Sequence, residues 1–190
     1  LIAECLQDDG IIIYPTDTVY GVGCNILKPK AIEKICRLKG IKVEKANFSF
    51  IFYDLSHISE FTKAVDTPTY KIMRKALPGP FTFILEAGNM IPKIFRSRKK
   101  TIGIRVPYNA ICRGIVKELG NPLMNYSLHD ENDDIIEYMN DPNDIHTKYQ
   151  KLVDIVIDGG IGNIEPSTVV DCSNGELTIV RQGLGIIEGY

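Results

Sequence analysis

The apolar run Ile11-Ile12-Ile13-Tyr14 stops at Pro15 and gives way to Thr16-Asp17-Thr18-Val19-Tyr20-Gly21-Val22-Gly23. A short β-branched run bounded by glycine and proline predicts a strand covered on both faces that runs into a polar loop. Residues 1–8 carry helical spacing ahead of it. After Pro29, apolar positions Ile32, Ile35 and Cys36 recur at three and four, predicting a helix that Lys39-Gly40 stops. Asp54 and Ser56 are expected to cap a short helix reaching Phe61, and Thr67-Pro68 to open another that Leu77-Pro78-Gly79-Pro80 breaks. Residues 109–119 form a further helix ended by Gly120. Strands are predicted over 48–52, 81–85, 101–106, 122–127 and 153–158, with a late pair over 167–171 and 177–180 turning at Asn174-Gly175. The acidic stretch 130–144 reads as loop and short helix.

Strands alternate with helices until the last quarter of the chain. That order predicts an α/β fold: a single domain over 1–190 with a twisted mixed parallel and antiparallel sheet and helices packed on it. A chain of 190 residues is long enough for one good core. A net charge of −2 gives no overall attraction to nucleic acid, so any polyanion would have to meet a local patch. The five cysteines are scattered without metal or redox spacing and read as reduced, mostly buried thiols of a cytoplasmic protein. No apolar segment approaches the roughly 20 residues that span a bilayer, so no membrane is expected as a partner. The opening Leu1-Ile2-Ala3-Glu4 has no basic segment ahead of an apolar one and does not read as a signal peptide.

The chemistry is sought where strands end, because ligands of α/β sheets gather there. A phosphate-binding P-loop, a three-glycine dinucleotide turn, a hydrolase elbow and a zinc helix are all missing. The histidines His57, His129 and His146 are far apart and read as exposed. Hydroxyl and basic residues instead recur at predicted strand ends: Thr16 and Thr18, Thr101 and Arg105, Ser127, Ser167 and Thr168, and Arg181. Guanidinium forks and short hydroxyl donors suit an anionic ligand rich in oxygen.

Five stretches carry a resemblance: residues 14–21, Leu77-Pro78-Gly79-Pro80-Phe81-Thr82, Gly103-Ile104-Arg105-Val106-Pro107, Pro166-Ser167-Thr168-Val169-Val170-Asp171 and Arg181-Gln182-Gly183. In this order they resemble the signature of the YrdC/YciO family. The resemblance implies a twisted α/β sheet with a concave face. It also implies synthesis of threonylcarbamoyl-adenylate from L-threonine, bicarbonate and ATP with Mg²⁺, a step toward a modified adenosine in tRNA. By resemblance Thr16, Thr18, Tyr20, Arg105 and Ser167 would meet threonine. Lys39, Thr101, Ser127 and Arg181 would face ATP, with Lys39 and Arg105 assisting catalysis. No metal-ligating side chains are expected.

Two positions depart from the synthase pattern. Ile41 stands where the synthases carry arginine after Lys-Gly, and His129 stands where they carry asparagine after Ser127-Leu128. The pattern therefore looks like the YciO branch, and the expectation is a protein that binds ATP or adenylate, and threonine, with weak or absent synthase activity. The alternative from another class is a double-stranded RNA- or tRNA-binding module without catalysis, carried by the basic run Lys93, Arg96, Arg98, Lys99 and Lys100.

Overall fold

The computed structural model describes residues 1–45, 48–95, 100–128 and 138–188. In chain order the strands are β1 (Ile11–Tyr14), β2 (Gly21–Asn25), β3 (Ser49–Ile51), β4 (Phe81–Glu86), β5 (Thr101–Arg105), β6 (Leu123–Ser127), β7 (Ile155–Val156), β8 (Thr168–Asp171) and β9 (Thr178–Arg181). They form one sheet in the order β7-β1-β2-β6-β3-β5-β4-β8-β9. The pairs β1–β7, β3–β5 and β4–β8 are parallel and the others antiparallel, which is the mixed sheet expected.

Alternation along the central strands sorts side chains onto two faces. One face carries Phe50, Phe83, Leu85, Ile102, Ile104, Met124 and Val170, all buried in the larger core. Helix α2 (Pro29–Leu38) covers it with Ala31, Ile32, Ile35 and Cys36, and α4 (Thr67–Ala76) adds Met73. The other face is divided. At the β1 side, Ile12, Tyr14, Ile51 and Leu123 are covered by Leu6 of α1 (Ile2–Gln7) and by Cys112, Ile115, Val116 and Leu119 of α5 (Ala110–Leu119). Burial of each such aliphatic side chain contributes about 1.5–3 kcal/mol, which fixes these two helices to half of the face. Toward β4 and β8 the same face carries Ser49, Thr82, Thr101, Gly103, Arg105 and Val169, and these border a cavity.

Local chemistry sets the ends of the helices. Asn109 caps α5 by accepting from the Cys112 N–H at 2.9 Å, and Gly120 ends it at φ 79°, a backbone state that glycine adopts without strain. The remaining helices are α3 (Ile58–Phe61) and α6 (Pro142–Tyr149), the latter beginning inside the acidic stretch where a short helix was expected.

Three elements differ from the sequence reading. Residues 21–25 are strand β2, not loop, pairing antiparallel with β1 from Ile11–Cys24 to Tyr14–Gly21. Strand β7 keeps only Ile155–Val156 of the run predicted over 153–158, because it lies at the sheet edge with β1 as its one neighbour. Asp54 accepts from the Ser56 N–H at 2.8 Å, forming a local turn ahead of α3 instead of capping it.

Candidate functional site

Arg105 ends β5 on the divided face, where alternation from Thr101 and Gly103 places it. Its residue is 2% exposed. Its Nη2 donates to Thr18 Oγ1 at 2.9 Å and to Asp17 Oδ1 at 3.1 Å. Its Nε is buried without an acceptor among the described residues. Such a donor is costly to leave unmatched, by about 1–3 kcal/mol. Asp17 is itself fixed from its other oxygen, which accepts the Tyr108 N–H at 2.9 Å.

Across the cavity, β8 and β9 bring a second polar group. The Ser167 hydroxyl lies 2.8 Å from that of Thr82 on β4. Arg181 reaches over from β9, donating through Nη2 to the Ser167 carbonyl at 2.8 Å. Partial burial lowers the Arg181 pKa from its usual value; nearby Tyr138 opposes this, and the positive charge of Arg105 adds to it. Arginine keeps its proton regardless, so two guanidinium charges border the site. The cavity has a volume of about 360 Å³, within the range of small-ligand sites. Thr101, Arg105, Ser127, Ser167 and Arg181, drawn from four separate stretches of sequence, all line it.

The other residues singled out in the sequence lie around this group. Thr16 is buried, with its hydroxyl donating to the Val19 carbonyl at 2.7 Å and accepting from the Thr18 N–H at 3.0 Å. Thr16, Asp17 and Thr18 line a neighbouring cavity of about 530 Å³ with Asn140 and the segment 159–164, and the Arg105 bonds to Asp17 and Thr18 join the two cavities. The smaller cavity is the better candidate, because it combines two guanidinium side chains with converging hydroxyls. Tyr20 is fully buried; its phenol donates to the Gly160 carbonyl at 2.8 Å and accepts from the Gly159 N–H at 3.0 Å, tying that segment to the sheet. Lys39 is buried at the end of α2, with Nζ 5.7 Å from the centre of the Tyr126 ring, and is not among the residues lining the Arg105 cavity. Arg98 and Lys99 of the basic run, and His129, lie outside the described residues, whereas Lys100 is exposed.

Sequence reasoning gave no site role to Asp17, Ser49, Thr82 or Asn125. A signal existed for two of them: Ser49 lies between Phe48 and Phe50, and Thr82 between Phe81 and Phe83. A polar residue alternating with large apolar ones belongs to the opposite, solvated face. Among the described residues, no cluster of three His, Cys, Asp or Glu side chains is placed to hold a metal. Asp17 is already paired with Arg105, and the described residues lining this cavity include no carboxylate, so they do not by themselves make a Mg²⁺ site. The cysteines are free, and burial drives the thiols away from the reactive thiolate, to about 12 at Cys112 and about 11 at Cys36 and Cys172. Among the described residues no helix is long and apolar enough to cross a membrane.

The molecule is thus a mixed α/β sheet protein with an open polar half-face bordered by two arginines. The family model Sua5/yciO/yrdC, described as telomere recombination, matches residues 4–183, and the chain belongs to that family. It is 34% identical to the YciO protein of Escherichia coli K12 over 188 residues, covering 98% of this chain and 89% of that one. It is 25% identical to the threonylcarbamoyl-AMP synthase of Coxiella burnetii RSA 493 over 175 residues, 92% of each chain. The crystal structure of E. coli YciO superimposes with a TM-score of 0.89 over 98% of this chain and 89% of that one, at 34% identity. That of P. abyssi Sua5 complexed with L-threonine gives 0.85 over 95% of this chain and 52% of that one; at 21% identity this likeness concerns the fold. The chain is thus a YciO-like member of a family that includes threonylcarbamoyl-AMP synthases.

Proposed function

We propose that the cavity between Arg105 and Arg181 binds ATP or its adenylate together with L-threonine, and that threonylcarbamoyl-adenylate formation there is slow or absent. The observation that carries this reading is the buried Arg105 guanidinium, held through Nη2 by Asp17 and Thr18, lining one cavity with Arg181 and the hydroxyls of Ser49, Thr82, Thr101, Ser127 and Ser167. Carboxylate and phosphate oxygens are the acceptors that suit guanidinium and hydroxyl donors gathered in this way. The ligand identity is supported by the synthase relatives and by the L-threonine bound to the Sua5 homologue.

The chemistry this arrangement serves is a displacement at phosphorus. The threonine amine takes up bicarbonate with loss of water, a carbamate oxygen attacks the α-phosphorus of ATP, and pyrophosphate leaves with the bond electrons. The protein supplies no nucleophile; it aligns the two ligands and offsets their charge. Mg²⁺ would come with the ATP phosphates and neutralise part of that charge. Arg105 binds the amino-acid carboxylate, while Thr101, Ser127 and Arg181 face the nucleotide.

Slow turnover follows from position 41. Ile41 is partly buried and packs against the larger core beside Gly40, so it brings no donor to a phosphate where the synthases carry a guanidinium. Loss of one such transition-state contact costs roughly 10²–10³ in rate. Calorimetry with ATP and L-threonine, together with a pyrophosphate-release assay, tests the reading on the native chain and on Ile41→Arg/His129→Asn. Binding by the native chain with little pyrophosphate release, and faster release by the double variant, is the expected result. Absence of binding by both folded proteins would assign the scaffold to another ligand, and rapid release by the native chain would remove the role given to Ile41. The RNA-binding alternative rests on the basic run, of which Lys93 and Lys100 are exposed while Arg96, Arg98 and Lys99 lie outside the described residues.

A further inference from the structure

Beneath the site, three side chains on three strands form a line of hydrogen bonds that ends at the cavity. The Tyr14 phenol on β1 donates to Asn125 Oδ1 on β6 at 2.7 Å, and Asn125 Nδ2 donates to Ser49 Oγ on β3 at 3.0 Å. Strand β2 lies between β1 and β6, and it carries glycine at both positions the line passes. A Cβ at Gly21 would collide with Asn125 Oδ1, and one at Gly23 would lie 2.8 Å from the Tyr14 hydroxyl.

The direction of every bond in this line is set by the buried phenol. Tyr14 is 0% exposed, and burial drives its pKa well above the usual value, so it keeps its proton. A buried O–H must find an acceptor, and the acceptor it meets is the Asn125 carbonyl oxygen. The amide therefore presents its NH₂ end to Ser49. The Ser49 hydroxyl accepts that bond and retains its own proton. Ser49 lines the cavity with Thr101, Arg105 and Ser127, in register with Gly103 on β5, whose lack of a side chain keeps the cavity floor open in front of it.

We infer that Ser49 is a ligand-binding residue of this cavity, held by Asn125 and Tyr14 as a hydrogen-bond donor to an anionic oxygen of the bound molecule. The inference rests on the reading of the cavity as an anion site, and it adds a residue to it. With one lone pair taken by Asn125, the Ser49 proton is left to donate, and an oxygen of phosphate or carboxylate is an acceptor that suits it. Tyr14 and Asn125 are positioning residues that act through Ser49.

The test is calorimetry of ATP, inorganic pyrophosphate and L-threonine with the native chain, Ser49→Ala, Ser49→Thr, Tyr14→Phe and Tyr14→Phe/Ser49→Ala, with melting temperatures recorded for each. A hydrogen bond to a charged group predicts a loss of about tenfold or more in affinity for Ser49→Ala, and near-native affinity for Ser49→Thr. A loss confined to ATP and pyrophosphate assigns the acceptor to phosphate, and one confined to L-threonine assigns it to the carboxylate. Tyr14→Phe weakens the same ligand by a smaller factor, and adds nothing in the Ser49→Ala background if it acts through Ser49. Unchanged affinity of folded Ser49→Ala for all three probes overturns the inference while leaving the site reading intact. An equal effect of Tyr14→Phe in both backgrounds overturns the positioning role. A native chain that binds none of the probes overturns both.

Discussion

Arg105 and Asp17 show how strongly burial sets the worth of a charge. Their side chains are 3% and 9% exposed and 3.1 Å apart. Asp17→Ala would leave a guanidinium without its counter-charge in the interior, a change that costs about 3–5 kcal/mol. Lys63 and Glu86 are closer, at 2.9 Å, but 65% and 46% exposed. Water screens that pair, so Lys63→Ala should change stability by less than about 1 kcal/mol. Urea denaturation of the two variants checks both, and equal effects would contradict the buried-pair reading. The same residues show what the sequence holds. Arg105, Ser167 and Arg181 are legible because each is a polar residue at the end of an apolar strand, Arg105 and Arg181 closing theirs and Ser167 standing just ahead of β8. The partnership of Arg105 with Asp17 is not, since 88 residues separate them and no local pattern records a contact made by folding. Ser49 was visible as an alternating polar position but ranked as part of a strand, because its partner Asn125 is 76 residues away.

Strand β2 is the element the sequence conceals. Gly21 and Gly23 weaken its strand character, yet they are required by the crossing of Tyr14 beneath it. A Cβ at position 23 would lie 2.5 Å from the Met124 carbonyl oxygen, a backbone atom that cannot turn aside. Gly23→Ala should therefore cost about 1–3 kcal/mol, read from chemical denaturation, and a neutral result would show that β2 and β6 separate more easily than their pairing implies. Helix α4 offers a test by pH. Asp66 caps it, accepting from the Thr69 N–H at 2.9 Å and the Thr69 hydroxyl at 2.8 Å. These bonds, the backbone one foremost, hold its carboxyl below the usual value. A depressed carboxylate stabilises the fold above its unfolded pKa, near 4, and loses that contribution as the pH falls through the lower folded value. The melting temperature of Asp66→Ala should thus fall below that of the native chain at neutral pH, and the gap should narrow on acidification. A gap constant down to about pH 2 would mean that Asp66 acts through packing alone. Pro68 and the Thr67-Pro68 start were legible in the sequence; the cap one residue earlier was passed over because Val65-Asp66 resembles the end of a loop.

At the scale of the molecule, period-two alternation predicted the strands but not their order, because neighbours such as β2 and β6, or β4 and β8, are joined by pairing across long stretches of chain. That order is what creates the site. Helices α1 and α5 cover the divided face only at the β1 side, and the uncovered half gathers Arg105 from β5, Ser167 ahead of β8 and Arg181 from β9. Strand β9 is an edge strand, largely exposed and paired only with β8. A ligand that spans Arg105 and Arg181 would join this edge to the centre of the sheet. Anything bound only to the folded state lowers the population of opened forms, by about 2.7 kcal/mol at a hundredfold excess over Kd. A local clamp concentrates that protection where it removes local openings. Saturating ATP with L-threonine should therefore slow amide hydrogen exchange most along β8 and β9, and least at β7, the opposite edge, which lies far along the sheet from both arginines. Slowing that is equal at the two edges would mean that the ligands stabilise the fold without bridging the cavity. Protection confined to residues 159–164 would place them instead in the neighbouring cavity lined by Thr16 and Asn140.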